Sequence, residues 1–91
     1  MKFEWDTKKE VINIKKHGIS FSDAKDALSC GLVIALKEDE TKEEPTFVYI
    51  GMCRKLNTIV VIVTYPEDDK TRIISARKAN KRERRYYEEK L

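Results

Sequence analysis

A run of seven consecutive β-branched residues, Thr58 to Thr64, constrains the fold of this 91-residue chain more than any other segment. Two heavy atoms on each Cβ restrict χ1 and favour an extended backbone, so the run predicts a β-strand. It shows no alternation of apolar and polar residues, which is typical of a strand covered on both faces. We therefore expect it to lie at the centre of a sheet.

Other apolar segments predict further strands with short connections to this one. Short connections between consecutive strands favour antiparallel pairing, so these strands should form a meander. We expect strands at residues 32–36, 47–50 and 72–76, a turn at 66–70, and an added N-terminal strand at 3–5.

Capping residues predict three helices. An Asp, Ser or Asn side chain can accept hydrogen bonds from the first free amides of a helix, and a following Gly can end the helix in the left-handed conformation. These signals occur at Asp6 with Gly18, at Ser20 with Gly31, and at Asn80 with Glu83. We expect a single α+β domain over residues 1–91, with an antiparallel sheet of four to five strands, two N-terminal helices and one C-terminal helix.

The apolar content excludes several classes of protein. The longest apolar stretch, Ile59–Val63, is far shorter than the roughly 18–20 residues that span a bilayer. The first residues are charged where a signal peptide has an apolar region, so we expect a cytoplasmic protein without a membrane partner. Cys30 and Cys53 form no paired motif with the single His17, and both are expected to be small buried residues. We expect no metal and no cofactor.

The charge is unevenly distributed along the chain. Residues 71–91 carry eight Lys or Arg against three Glu, whereas residues 37–44 carry a net charge of −3. The basic end suggests a polyanionic partner, and five of its eight cations are Arg, which suits bidentate contacts with phosphate. The acidic run is expected to be a solvated face.

The candidate catalytic side chains are cationic or bear a hydroxyl group. Lys16 and His17 end the first predicted helix; the helix dipole can stabilise His17 as a cation, and His17 can equally transfer a proton. Arg84 and Tyr87 lie one turn apart on the last helix, where they can hold a phosphate and stack on a base. Alternatively, Tyr87 anchors that helix and Arg84 is a surface residue.

The last predicted strand carries two further arginines and a serine. Strict alternation places Ile73 and Ser75 on one face, and Arg72, Ile74 and Ala76 on the other. Ser75 is expected to hydrogen-bond to the backbone. Arg77, at the end of the strand, is well placed to contribute to a site.

Two blocks at opposite ends of the chain carry a family signal. The first is Phe3-Glu4-Trp5-Asp6, Lys9, Asn13, Lys16-His17-Gly18, Ser20-Phe21 and Asp23-Ala24, and the second is Arg72-x-Ile74-Ser75-Ala76-Arg77-x-Ala79, Glu83-Arg84 and Tyr87. In these blocks the chain resembles the BrnT family of toxins from bacterial type II toxin–antitoxin systems. The resemblance covers nearly the whole chain.

The resemblance implies a RelE-like fold and a ribonuclease that arrests translation. It also implies a BrnA-like antitoxin with a ribbon-helix-helix DNA-binding domain, through which the complex binds operator DNA. We expect an acidic or apolar segment of this antitoxin to cover Arg77 and the C-terminal helix.

We therefore predict a metal-independent endoribonuclease, because RNA supplies its own nucleophile and needs only proton transfer and charge stabilisation. The expected catalytic residues are Arg72, Arg77 and Arg84 for the phosphate, Lys16 or His17 for proton transfer, and Tyr87 for stacking or as an acid. The expected RNA-binding residues are Arg54, Lys55, Lys81, Arg82 and Arg85. The alternatives are a non-catalytic nucleic-acid-binding module that uses the C-terminal helix, or a protein-interaction module.

Overall fold

A five-stranded sheet with helices on both faces forms the fold. The computed structural model describes residues 2–41 and 43–91, so residue 42 of the acidic run lies outside the described residues. The elements are β1 (Lys2–Glu4), α1 (Thr7–His17), α2 (Phe21–Ser29), β2 (Ile34–Asp39), β3 (Thr46–Met52), β4 (Thr58–Glu67), β5 (Lys70–Lys78) and α3 (Lys81–Glu89). The strand order is β1-β5-β4-β3-β2, in which β1 is parallel to β5 and the other pairs are antiparallel. In the described part of the chain, no helix is long and apolar enough to cross a membrane.

The β-branched run lies in the central strand, as predicted. On one face of β4, Val61 and its neighbours pack against α2 in the main buried cluster. On the other face, Val60 packs against Tyr87 of α3. Two residues further along, Ile62 is only half-buried. Part of this second face is therefore left open by α3.

The capping predictions are confirmed. The Asp6 side chain accepts hydrogen bonds from the amides of Lys8 and Lys9, and Gly18 ends α1 in the left-handed conformation with φ +71°. The Ser20 hydroxyl caps α2. The side chains of Asn80 and Glu83 form a reciprocal capping box at the start of α3. Local sequence therefore determines where each helix begins.

Several boundaries and one burial prediction are wrong. Strand β2 extends from Ile34 to Asp39, into the charged run, and β4 continues through Pro66. Pro66 is tolerated because the β4–β5 register is interrupted there, so no amide donor is required. The turn is confined to residues 68–69. Cys53 is buried as expected, but Cys30 is exposed.

A bulge in β5 reverses the expected faces of that strand. The register with β4 shifts at this point and leaves Ile74 without a partner residue. Ile73 and Ala76, three positions apart, consequently share the main buried cluster. The predicted strict alternation is therefore wrong, since an extra residue displaces it by one. That prediction placed Ile73 and Ser75 on one face, and Arg72, Ile74 and Ala76 on the other.

Asn13 fixes α1 at the free edge of β5. Strand β1 pairs only with residues 70–72, so the backbone of Ala76 faces no neighbouring strand on that side. The buried Asn13 carboxamide replaces such a strand: it donates to the carbonyls of Ala76 and Ile19 (2.8 Å each) and accepts from the Ala76 amide (3.2 Å). The C-terminal end of α1 is thereby held beside β5.

Candidate active site

Strand β5 presents two arginines and a serine on the partly open face of the sheet. Residues opposite each other on paired strands project to the same side. Arg72, Ser75 and Arg77 lie opposite Thr64, Ile62 and Val60, respectively. Val60 contacts α3, so all three β5 side chains lie on the face that α3 partly covers.

Arg77 is held by Glu83 in a bidentate ion pair. Its Nη1 and Nη2 donate to Oε1 and Oε2 of Glu83 at 2.7 and 2.9 Å, and Nη1 also donates to the Lys78 carbonyl at 3.3 Å. The same carboxylate accepts from the Asn80 amide at 2.9 Å, so it joins the end of β5 to the start of α3. These contacts use three of the five guanidinium N–H groups. The remaining donors can bind a phosphate oxygen.

The electrostatics of this pair follow from the same contacts. The hydrogen bond from Arg77 lowers the pKa of Glu83, against a smaller opposing effect of burial. The hydrogen bond to Glu83 raises the pKa of Arg77. At neutral pH both groups are therefore charged, and the pair has a fixed orientation.

Arg72 has a similar arrangement at the other end of β5. Its Nε donates to Glu4 of β1 at 2.7 Å, and this hydrogen bond is the main reason that the pKa of Arg72 is raised. Its Nη1 lies 3.7 Å from Glu44, so at least this residue of the acidic run contacts a cation. Arg72 lines a cleft of about 460 Å³ with Glu4, Trp5, Asp6 and Lys9.

Lys16 and His17 lie in a groove between α1 and the free edge of β5, which we call the edge groove. It has a volume of about 190 Å³ and is lined by Lys9, Ile12, Asn13, Lys16, His17, Ile74 and Ser75. Lys9 also lines the cleft of Arg72, so the two depressions adjoin. The Ser75 side chain, expected to bind the backbone, makes no hydrogen bond within the described residues and faces this groove. Ser75 and Arg77 are two strand positions apart, about 6–7 Å.

Arg84 and Tyr87 lie away from this arrangement. Tyr87 is only 2% exposed and its hydroxyl donates to the Leu32 carbonyl at 2.7 Å, so the ring offers no face to a base. Arg84 is exposed, lies 3.9 Å from Glu88, and lines a different groove beside Lys78. This is the arrangement of the alternative interpretation, in which Tyr87 anchors α3 and Arg84 is a surface residue.

The residues predicted to bind RNA occupy two other surfaces. Arg54 and Lys55, in the β3–β4 connection, lie 3.8 and 3.3 Å from carboxylates of α2. Lys81, Arg82 and Arg85 are exposed on α3. Neither group lines the edge groove.

Comparison with known proteins identifies the family. A family model described as "Ribonuclease toxin, BrnT, of type II toxin-antitoxin system" matches residues 5–83. The chain belongs to the BrnT family. Ribonuclease activity on an RNA substrate and an antitoxin partner follow from this membership.

A solved structure of a BrnT relative shares the fold. The crystal structure of the Brucella abortus ribonuclease toxin BrnT is 34% identical in sequence, with a TM-score of 0.65. The match covers 89% of this chain and 99% of the Brucella chain. A comparison with curated proteins gave no match.

Sequence reasoning missed the acidic partners of Arg72 and Arg77. Glu4 and Glu83 stand in the quoted family blocks, and Glu83 was recognised only as a capping residue. Its second role depends on the β5–α3 turn, which brings the helix start back to the strand end.

Within residues 2–41 and 43–91, no group of three or more His, Cys, Asp or Glu side chains could hold a metal ion.

Proposed function

We propose that this toxin cleaves RNA internally, without a metal ion, on the open sheet face between Arg77 and the edge groove. The observation that carries the proposal is the bidentate Arg77–Glu83 pair, two strand positions from a hydroxyl that lines a lysine-rich groove. Such a surface combines a fixed cation with proton-transfer candidates. The family resemblance alone would not select these residues.

The reaction requires three contributions from the protein. The 2′-oxygen of RNA attacks the adjacent phosphorus while a base removes its proton, and the 5′-oxygen leaves after receiving a proton. Arg77 stabilises the additional negative charge at phosphorus through the N–H groups that Glu83 leaves free. Lys16 and His17 are the candidates for moving the two protons. Arg72 holds a neighbouring phosphate.

The positions of Arg84 and Tyr87 favour other roles. Tyr87 anchors α3, and Arg84 belongs with the exposed cations Lys81, Arg82 and Arg85, which follow the RNA backbone outside the site. The non-catalytic alternative is not retained, because the family is one of ribonucleases.

Chelation tests the metal-independent, internal cleavage. Single-stranded RNA labelled at one end should give internal fragments at the same rate with and without excess EDTA, and these should carry cyclic phosphate ends. Loss of cleavage in EDTA and its recovery with Mg²⁺ would contradict the proposal. Exclusive release of terminal nucleotides would contradict internal cleavage.

The pH dependence of cleavage tests the proton-transfer candidates. If His17 moves a proton, His17→Ala removes one limb of the pH–rate profile, whereas Lys16→Ala keeps that limb. If His17 is only a helix-end cation, His17→Ala lowers stability and keeps the profile unchanged. The matched pair of variants therefore assigns the role.

We propose further that the partner is a BrnA-like antitoxin with a ribbon-helix-helix domain, which carries the complex to operator DNA in the cytoplasm. Family membership supports an antitoxin, and the basic surface supports an acidic or apolar contact over Arg77 and α3. In a gel-shift experiment, operator DNA should be bound by antitoxin and complex but not by the toxin alone. Specific binding by the toxin alone would contradict this.

A further inference from the structure

The outward face of α1 exposes three β-branched apolar residues. Val11 is 55% exposed, Ile12 62% and Ile14 44%, all on a helix of 11 residues. Val11 and Ile14 are one turn apart and lie side by side, while Ile12 projects further round the helix towards the edge groove, so the outward face carries apolar side chains across its width. Single exposed apolar residues are ordinary, but a contiguous patch with a polar rim marks a protein contact.

The rim of this patch is uniformly basic. Lys8 and Lys15 lie one turn before and after Val11, and Lys9 and Lys16 lie on the side of the edge groove. In the described part of the chain, none of these four lysines has a carboxylate partner. The single acid of α1, Glu10, accepts from the Phe21 amide at 2.8 Å and is turned towards α2.

These two properties together select the occupant. A nucleic acid would match the lysines but leave the apolar side chains uncovered. A second copy could offer its acidic β2–β3 connection, but that run has no apolar residue between positions 37 and 44. An amphipathic acidic protein segment satisfies both the apolar centre and the basic rim.

We infer that this face, consisting of Lys8, Val11, Ile12, Ile14 and Lys15, docks an acidic amphipathic segment of the antitoxin. Ile12 lies both in this face and in the edge groove, so a segment seated here obstructs the access of RNA to Lys16 and His17. This last step rests on the proposed function of the groove. This contact adds to the one proposed over Arg77 and α3, where the guanidinium already has a carboxylate partner in Glu83.

Two pairs of substitutions outside the edge groove test the inference. Lys8→Glu/Lys15→Glu reverses the charge of the rim, and Val11→Ser/Ile14→Ser removes apolar surface area from the patch. Matched controls are Lys37→Glu on β2 and Leu91→Ser at the C-terminus, both exposed. Calorimetry with the full-length cognate antitoxin measures affinity, and cleavage of single-stranded RNA measures activity.

Each test pair should weaken antitoxin binding at least tenfold, while the controls, the melting temperature and RNA cleavage stay unchanged. The charge-reversed toxin should also lose most of the salt dependence of antitoxin binding. Hydrogen exchange of the α1 amides should slow when antitoxin is added to the wild type.

The inference would be overturned if both folded test pairs bound the antitoxin with wild-type affinity. It would also be overturned if they lost RNA cleavage at unchanged antitoxin affinity, which would identify this face as an RNA surface. Loss of a wild-type dimer with unchanged antitoxin affinity would assign the face to a second copy. If saturating antitoxin does not inhibit the wild type, the proposed partner itself fails. If antitoxin inhibits the wild type, and half-inhibits the folded variants at the same antitoxin concentration, only the docking surface is overturned.

Discussion

The two cationic regions of this toxin differ in how their charge is compensated. On the sheet face, Arg72 and Arg77 each have a glutamate at 2.7 Å. On α1, four lysines have no carboxylate partner within the described residues. A guanidinium in a bidentate pair has a fixed orientation, whereas a hydrated ammonium on a flexible stem remains a mobile charge. The first arrangement suits the stabilisation of one charged group in a defined position, and the second suits the attraction of an anionic partner.

Removal of Arg77 should produce the largest effect. We expect Arg77→Ala to lower the cleavage rate about 100- to 1,000-fold, the usual consequence of removing one preorganised donor. Arg77→Lys should retain only part of the wild-type cleavage rate, because an ammonium cannot form the bidentate contact. Single-turnover cleavage of labelled RNA measures this.

Arg84→Ala is the control for that prediction. Its guanidinium is exposed and only 3.9 Å from Glu88, so we expect a change of no more than about threefold. If Arg84→Ala lost activity as strongly as Arg77→Ala, the distinction between the two arginines would be wrong.

Asn13 connects the two regions, and its removal should destabilise the protein. Asn13→Ala leaves buried backbone groups of Ala76 and Ile19 without partners, which should lower the free energy of unfolding by about 2–3 kcal/mol. Asn57→Ala, in the β3–β4 connection, should change it by less than about 0.5 kcal/mol. Urea denaturation distinguishes them. An Asn13→Ala toxin as stable as the control would mean that α1 is held by other contacts.

The two uncompensated lysines of the edge groove, Lys9 and Lys16, should affect RNA affinity in a salt-dependent manner. Lys9→Ala and Lys16→Ala should each weaken binding of single-stranded RNA several-fold and reduce the slope of log affinity against log salt by about 0.7. Titration of a non-cleavable RNA at several salt concentrations measures both. An unchanged slope would mean that the edge groove does not contact phosphate.

The smallest expected effect concerns pH. Because the pKa of Glu83 is lowered below its ordinary value of 4.5, the Arg77–Glu83 pair stabilises the fold above that pH. This contribution is lost as the pH falls through the lowered value. Both groups are partly solvated, so it should stay below about 1 kcal/mol. The stability of wild type and Glu83→Gln should therefore differ at pH 7 and converge as the pH falls below the lowered pKa of Glu83; a constant difference would mean that capping, not charge, is responsible.

Local features of the fold could be predicted from sequence, whereas pairings between distant segments could not. The caps at Asp6 and Asn80 act within a few residues, and the β-branched run requires only its own side chains. The bulge at Ile74 depends on the register with β4, so strict alternation predicted the wrong face for Ala76.

The candidate site likewise has residues that the sequence predicts and contacts that depend on distant segments. Arg77 was predictable from its position at the end of a strand in a basic segment. Its glutamate partner was not, because that contact requires α3 to fold back against β5. For Tyr87, the sequence was compatible with both stacking and anchoring, and only its burial between α3 and the sheet distinguishes them.

The parallel pairing of β1 with β5 has a consequence for synthesis. Lys2 lies opposite Lys70, so the first strand emerges from the ribosome long before its partner exists. At about 5–20 residues per second, this interval is about 3–14 s. During this time, α1 carries its lysines without the sheet edge that Asn13 requires. Arg77 and Glu83 are translated later still, so the proposed cleavage site is completed only after all five strands of the sheet have been made.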